Sequence, residues 1–223
     1  HVGRITDQLQ EEVMRIRMLP IANVFHKFPR LVRDLARKAG KQVELTVRGE
    51  ETELDRSVIE EIGDPLIHLL RNAVDHGIEL PAERAAAGKP AHGTLLLSAR
   101  HEESNIFVTV EDDGRGIDVE RVKASAAQRG LLTEAEAAAL SFDGALNLIF
   151  RSGVSTAKVV TDVSGRGVGM DIVRANIERL NGSVLVETWP GRGARFQISL
   201  PLTLAIIPCL MVEAGAGTFA IPL

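Results

Sequence analysis

His68-Leu69-Leu70-Arg71-Asn72-Ala73-Val74-Asp75-His76-Gly77-Ile78-Glu79 is the stretch from which this chain is best read. Before and within it, Ile59, Ile62, Leu66, Leu69, Leu70, Ala73 and Val74 recur at three- and four-residue spacing. That spacing predicts a helix capped by Asp55 or Ser57, running to His76 and stopped by Gly77, with Pro65 as its one irregularity. At about 100° per residue, Ile62, Leu66, Leu69, Leu70 and Ala73 share one arc. His68, Asn72, Asp75 and Glu79 share the opposite arc, with His76 at its edge. Ordinary solvated faces are dominated by Lys, Glu and Arg. Amide oxygens and imidazole nitrogens are groups that can meet Mg2+ and phosphate oxygens. Taken alone, a face that is merely polar stays open as the plainer alternative.

Two glycine segments lie downstream. Asp112-Asp113-Gly114-Arg115-Gly116 closes a β-rich run with an acid followed by residues that let a ligand approach the backbone. An aspartate fixed at a strand end can accept from an exocyclic amine, although Asp-Gly is equally the signature of a plain turn. Gly165-Arg166-Gly167-Val168-Gly169 opens into a helix predicted over 170–180. There, free N–H groups and the helix dipole favour an anion. A flexible linker is the bland reading of that segment, and no preceding strand makes it a dinucleotide fingerprint.

Around these segments the pattern predicts helices over 2–19 and 23–39, the second closed by Gly40, and strands over 43–47, 94–100, 105–111, 183–188 and 195–200. Further helices are expected over 119–129 and 133–140, with a short turn near 81–87 and a long mobile loop over 141–169. A final hairpin, 204–212 with 218–221, has the texture of a different β-domain. The helix at the first residue lacks a cap, so the chain is expected to be clipped inside a helix and again after the hairpin.

The bulk numbers set limits. The 223 residues are 45% hydrophobic and 25% charged, enough for one sizeable core with an appendage. A net charge of -4 gives no general attraction to nucleic acid. The single Cys209 excludes an intrachain disulfide and suits a reducing compartment. No apolar run approaches the ~18 residues of a membrane span, so a cytoplasmic location without direct membrane insertion is expected.

Polar helix, acid-glycine strand end, long loop and glycine-rich helix start occur in an order more specific than any one of them. In that order, and almost residue for residue over 68–79, 112–116 and 164–171, the chain resembles the ATPase domain shared by gyrases, Hsp90 chaperones, histidine kinases and MutL proteins. Within that superfamily it is most similar to the CheA-type chemotaxis histidine kinases. Ser152-Gly153-Val154-Ser155-Thr156 lies where that family has its ATP lid, and Val13 to Pro20 resembles the end of its dimerization hairpin. The resemblance implies three pieces: the last dimerization helix over 1–20, an ATP-binding domain over 21–202, and the start of a CheW-like regulatory β-domain over 203–223. The implied fold is an α/β two-layer sandwich of the Bergerat type, a mixed sheet with helices on one face.

Carried over by position, the resemblance assigns ATP and Mg2+ as cofactors, with Asn72 and His76 at the metal and Asp112 at the adenine amine. Gly114 and Gly116 form the pocket floor, while Gly165, Gly167 and Gly169 cradle phosphates. Asp75, Ile117, Phe150, Ser155, Thr156, Arg166, Val168 and Met170 join the nucleotide set, and His68 and Arg121 stand beside the phosphates as catalytic positions. The implied partners are a histidine phosphotransfer domain, a CheW-like adaptor with chemoreceptors, and a response regulator. The family often has Lys at position 121, Phe at 154 and Thr or Ser at 194, where this chain has Arg121, Val154 and Ala194. The last two departures are expected to loosen the lid and to remove a hydroxyl from the adenine floor. An inert signalling scaffold and another ATPase of the superfamily are the competing readings. Intact Asn72, Asp112 and second-segment glycines argue against the first, and the flanking helix and hairpin against the second.

Overall fold

The computed structural model describes residues 17–154, 169–202, 209–214 and 217–222. The chain enters through β1 (Met18–Pro20), α1 (Ala22–Phe25) and α2 (Phe28–Ala39), then β2 (Val43–Arg48), β3 (Glu53–Asp55) and α3 (Arg56–Asn72). A π-helical turn (Ala73–Gly77) and α4 (Pro81–Ala86) lead to the hairpin of β4 (Gly93–Glu102) and β5 (Asn105–Asp112). After α5 (Val119–Gln128), α6 (Glu134–Ala139), α7 (Phe142–Asn147) and a 3-10 turn (Leu148–Phe150) come α8 (Met170–Arg179), β6 (Ser183–Trp189) and β7 (Gly193–Pro201). The strands β8 (Cys209–Ala214) and β9 (Gly217–Pro222) pair as the separate antiparallel hairpin expected from the sequence.

The main sheet has the order β2-β4-β5-β7-β6, with β2 parallel to β4 and every other neighbour antiparallel. Strand alternation sends Leu95, Leu97, Val108, Val110, Ile198 and Leu200 into one core with Val32 of α2, Leu66 and Leu69 of α3, and Ile177 of α8. This is the expected two-layer sandwich. It also answers the irregularity in α3. An interior proline costs a helix about 3 kcal/mol. Ile62, Leu66, Leu69 and Leu70 are each fully buried, and each such side chain stabilises by about 2 kcal/mol, so packing exceeds the loss. Asp55 supplies the cap, accepting from the N–H of Ser57 at 2.8 Å.

Two expectations need correction. The helix predicted to reach Leu19 ends before Met18, because Met18–Pro20 pairs antiparallel with Glu53–Asp55 and Arg17 reaches Asp55 at 3.1 Å. That partner strand is more than thirty positions away and leaves no periodicity in 2–19; the rest of that predicted helix lies outside the described residues. The loop predicted over 141–169 contains α7 and the 3-10 turn. The α7 helix is started by the Ser141 hydroxyl accepting from Gly144 N–H at 3.1 Å. Among the described residues no helix is long and apolar enough to cross a membrane.

Candidate nucleotide site

The inward row of β5 is Ile106, Val108, Val110 and Asp112, so the same alternation that builds the core aims the Asp112 carboxylate at the helix layer. Register places Ala194 beside Asp112 and Thr188 beside Ala194, making one buried row across three strands. Gly114 donates its N–H to Asp112 Oδ1 at 2.9 Å, and the Ala194 N–H also bonds the carboxylate. Burial nevertheless pushes the carboxyl up to about 6, with Asp113 and Glu79 adding negative potential against those two donors.

The polar helix meets this strand end through glycines. A Cβ at Gly77 would lie 3.0 Å from Asp112 Oδ1, and one at Gly114 would collide with the Gly77 carbonyl. Arg115 N–H donates to that same carbonyl at 2.9 Å. Gly116 has a left-handed φ of 75°, and Ile117 N–H donates to the Thr188 hydroxyl at 2.7 Å. Thr188 thus puts a hydroxyl one strand away from the position where Ala194 lacks one, and its bonds are spent on Ile117 and the Gly193 carbonyl.

The helical projection of 68–79 holds only to Asn72. Beyond it Ile78 N–H reaches back to Ala73 O at 2.8 Å, a five-residue step that widens the turn. The Val74 carbonyl loses its α-helical donor, and Lys41 Nζ donates to it and to the Asp75 carbonyl at 2.7 Å each. Glu79 is therefore not on the His68 and Asn72 face, which corrects the sequence expectation. It is buried and ion-paired with Arg84 at 3.0 Å and Lys89 at 2.8 Å.

Asn72 Nδ2 donates to Met170 Sδ at 3.1 Å, which joins the polar helix to the first residue of α8. Only the amino group can donate to a thioether, so the amide oxygen is the atom left for a cation. Gly169 occupies the N-cap of α8 without a side-chain hydrogen bond, and that helix start offers N–H groups to an anion. Burial lowers the His68 imidazole, helped by Arg71 and His76 and opposed by Asp171. The His76 imidazole is lowered as well, first by partial desolvation although the residue is exposed, where Asp75 opposes and Lys41, Arg115 and Arg121 reinforce. Arg121 is thereby within electrostatic reach of His76, in the first turn of α5.

The structure draws His68, Asn72, His76, Asp112, Gly114, Gly116, Ile117, Met170 and Gly169 toward one region. Asp75 is exposed, with its carbonyl on Lys41. Phe150 is buried in the core, with the Arg174 guanidinium 4.3 Å above its ring. Val154 packs in a smaller apolar cluster with Val122, Ala126 and Leu148. Ser155, Thr156, Gly165, Arg166, Gly167 and Val168 lie outside the described residues. The cleft lined by Arg17, Leu19, Arg56, Ser57 and Glu60 is at the far end of α3, about 25 Å from Asn72 by helix rise, and has neither glycine segment.

An ion cluster beneath the first glycine segment has no counterpart in the sequence reading. Fully buried Arg84 forks onto Asp113 with Nη1 to Oδ1 at 3.1 Å and Nη2 to Oδ2 at 2.9 Å. Lys89 Nζ donates to Glu79 at 2.8 Å and to the carbonyls of Asp113 and Gly114 at 2.9 and 2.7 Å. Removing one member of such a buried cluster costs about 3–5 kcal/mol. The only available signal was a Glu, an Arg and a Lys inside a polar connection.

Among the described residues no group of three or more His, Cys, Asp or Glu is placed to hold a metal. A hard Mg2+ ion needs no such cage, since it takes one or two protein oxygens and completes its shell with phosphate and water. The Asn72 amide oxygen fits that requirement. An imidazole such as that of His76 suits phosphate oxygens better than a hard cation.

Residues 61–204 match the family model described as histidine kinase-, DNA gyrase B-, and HSP90-like ATPase. The chain is 52% identical to the chemotaxis protein CheA of Treponema pallidum, over 100% of this chain and 27% of that protein. It is 50% identical to the sensor histidine kinase CheAY of Helicobacter pylori over 100% of this chain and 28% of that protein. With CheA of Bacillus subtilis the identity is 47%, over 99% of this chain and 33% of that protein. The chain therefore spans about a third or less of these relatives' length.

Proposed function

Since the chain belongs to the histidine kinase-, DNA gyrase B- and HSP90-like ATPase family, we propose that it is the ATP-binding core of a chemotaxis-type protein histidine kinase. It transfers the γ-phosphoryl group of ATP to a histidine on a separate phosphotransfer domain. The observation that carries this reading is the buried Asp112 carboxylate at the end of β5, walled by Gly77 and Gly114. A flat base can approach there, and its exocyclic amine can donate to the carboxylate.

The other roles follow from position. Asn72 holds the metal through its amide oxygen, while His68, His76 and Arg121 face the phosphates and Gly169 with Met170 presents the N–H groups of the α8 start. Bound Mg2+ supplies neutralisation of the charge on the phosphate oxygens. Phosphoryl transfer needs positioning and charge stabilisation more than covalent help, and a neutral imidazole acceptor is already a nucleophile. Residues 1–20 belong to the end of a dimerization domain, with Met18–Pro20 as strand β1, and 203–223 belong to a CheW-like domain. Adaptor, chemoreceptors and response regulator are the partners of the whole protein, which works in the cytoplasm.

Supplying the isolated phosphotransfer domain with γ-labelled ATP and Mg2+ tests the proposal. Label should appear on the acceptor histidine, and Asn72→Ala should abolish it. Bound ATP with no label transferred would sink the kinase reading.

A further inference from the structure

We propose that Lys89, supported by Arg84 and Glu79, is a positioning residue for base selection: it fixes the peptide of Gly114, and that peptide fixes the direction of the Asp112 carboxylate. The inference rests on the reading of Asp112 as the adenine acceptor.

Lys89 acts on Asp112 indirectly, since none of its three hydrogen bonds goes to that residue. Its ammonium has three donors, and all three are used, one on Glu79 Oε1 at 2.8 Å and two on the carbonyls of Asp113 and Gly114 at 2.9 and 2.7 Å. Glu79 is itself held by Arg84, whose guanidinium forks onto the Asp113 carboxylate. Asp113 also accepts from Thr94 N–H at 2.9 Å, which ties the clamp to the neighbouring strand. From the clamped segment, the Gly114 N–H donates to Asp112 Oδ1 at 2.9 Å.

The segment needs an external restraint. Gly114 and Gly116 have no side chains with which to pack, and Gly116 already sits in the left-handed region. Without the ammonium, the Asp113 carbonyl keeps only the longer bond from Arg84 Nη1 at 3.3 Å and the Gly114 carbonyl is left to water, so the peptide between Asp113 and Gly114 is freer to rotate and the Gly114 N–H turns with it. The carboxylate then keeps the Ala194 N–H but loses the second of the two donors that together fix its direction. A carboxylate in the wrong direction still repels anions and still occupies its space, so the phosphates are held as before. What it loses is the angle at which an amine hydrogen meets an oxygen lone pair, and hydrogen bonds weaken steeply with that angle.

Base discrimination is therefore the diagnostic quantity. ITP carries a carbonyl where ATP carries the exocyclic amine and an N1–H where ATP has an acceptor nitrogen, so both changes oppose the Asp112 contact while ribose and triphosphate stay the same. Dissociation constants for both nucleotides are measured on the whole chain, for the parent and for Lys89→Met. A parent that binds ATP and ITP equally would overturn the Asp112 reading itself, before the clamp is tested. With a discriminating parent, Lys89→Met should narrow the ATP preference by about fivefold or more through weaker ATP binding, with ITP changed by less than about twofold. Lys89→Arg, which keeps a multiple donor at the site, should recover part of the preference. Equal weakening of both nucleotides, or no weakening, overturns the inference, because loss of fold stability alone affects both alike. Should Lys89→Met fail to fold, Glu79→Gln keeps the volume and removes the charge that anchors the ammonium. The same narrowing is expected there, and an unchanged ratio overturns the proposal.

Discussion

Gly114 presses its Cα against the carbonyl of Gly77 so closely that no side chain fits between them, and Arg115 donates its N–H to that carbonyl at 2.9 Å. The contact joins two segments far apart along the chain, Gly77 and Gly114, and sets the wall beside Asp112. Gly114→Ala should therefore push the acid-bearing loop away from the helix end. Overpacking of this kind costs about 1–3 kcal/mol, and ATP affinity should fall by about tenfold or more. Gly63→Ala is the matched control. Its Cβ would meet Val24 at 3.9 Å in ordinary contact inside α3, so a gain of up to about 1 kcal/mol is expected. Urea unfolding and nucleotide titration on the two variants check the pair.

Asp112 carries a second prediction, with a sign that runs against habit for a carboxylate. Its folded value is raised from 3.8 to about 6 by burial. Between those two values the folded chain holds the proton more tightly than the unfolded one, so this group's contribution to stability falls as pH rises through the window. Keeping the charge buried at neutral pH costs on the order of 2–3 kcal/mol. Asp112→Asn should then melt higher than the parent at pH 7.5, and the gain should vanish near pH 4. The parent's preference for ATP over ITP should decline as pH is lowered through about 6, since a protonated carboxyl is a poorer acceptor, while the variant shows a small and flat preference. A variant less stable than the parent at pH 7.5 would contradict the account.

Asp112 is also where sequence and structure agree for a physical reason. Period-two alternation from Ile106 to Val110 is local, and it fixes the face of the next inward residue. The same local logic exposes Asn72, because α3 is regular up to that residue. Glu79 is the counterexample. The π turn adds one residue to the step back from Ile78 to Ala73, and everything after it rotates off the projected arc. The Arg84 and Lys89 clamp was invisible because it reaches from the α4 connection to Asp113 and Gly114, more than twenty positions on. Pairing of Met18–Pro20 with Glu53–Asp55 is hidden for the same reason. Contacts across such separations leave no spacing pattern in either partner.

The two site histidines titrate in the opposite sense to Asp112. Both imidazoles are lowered from the usual 6.5, desolvation being the largest cause in each. As pH rises toward 6.5 the unfolded chain binds more protons than the folded one, so their contribution raises stability with pH up to that value and is level above it. Histidine ring resonances followed by NMR should show His68 and His76 titrating below free imidazole and neutral at pH 7. Asp171→Asn removes the attraction that opposes the lowering at His68 and should lower that midpoint further. An upward move of the His68 midpoint would show that the nearby Arg71 and burial do not govern it.

Lys41 closes the account of the widened turn. Its ammonium donates to the Val74 and Asp75 carbonyls at 2.7 Å each, and burial lowers its own proton affinity, with Arg115 adding to the lowering and Asp75 opposing it. The residue thus accepts partial desolvation in order to satisfy carbonyls that the π turn leaves without helical donors. Lys41→Met keeps the aliphatic stem and leaves both carbonyls to water. Because the site is only partly buried, the cost should fall at the low end of the range for unmade bonds, about 1–2 kcal/mol. The turn lies between Asn72 and Gly77, the two residues that link the helix to α8 and to the Asp112 wall. Its relaxation should therefore weaken ATP several-fold, by roughly the same free energy. Equilibrium unfolding and ATP titration of the same preparation check both numbers together, and a stability loss with ATP affinity unchanged would show that the turn supports the fold without shaping the site.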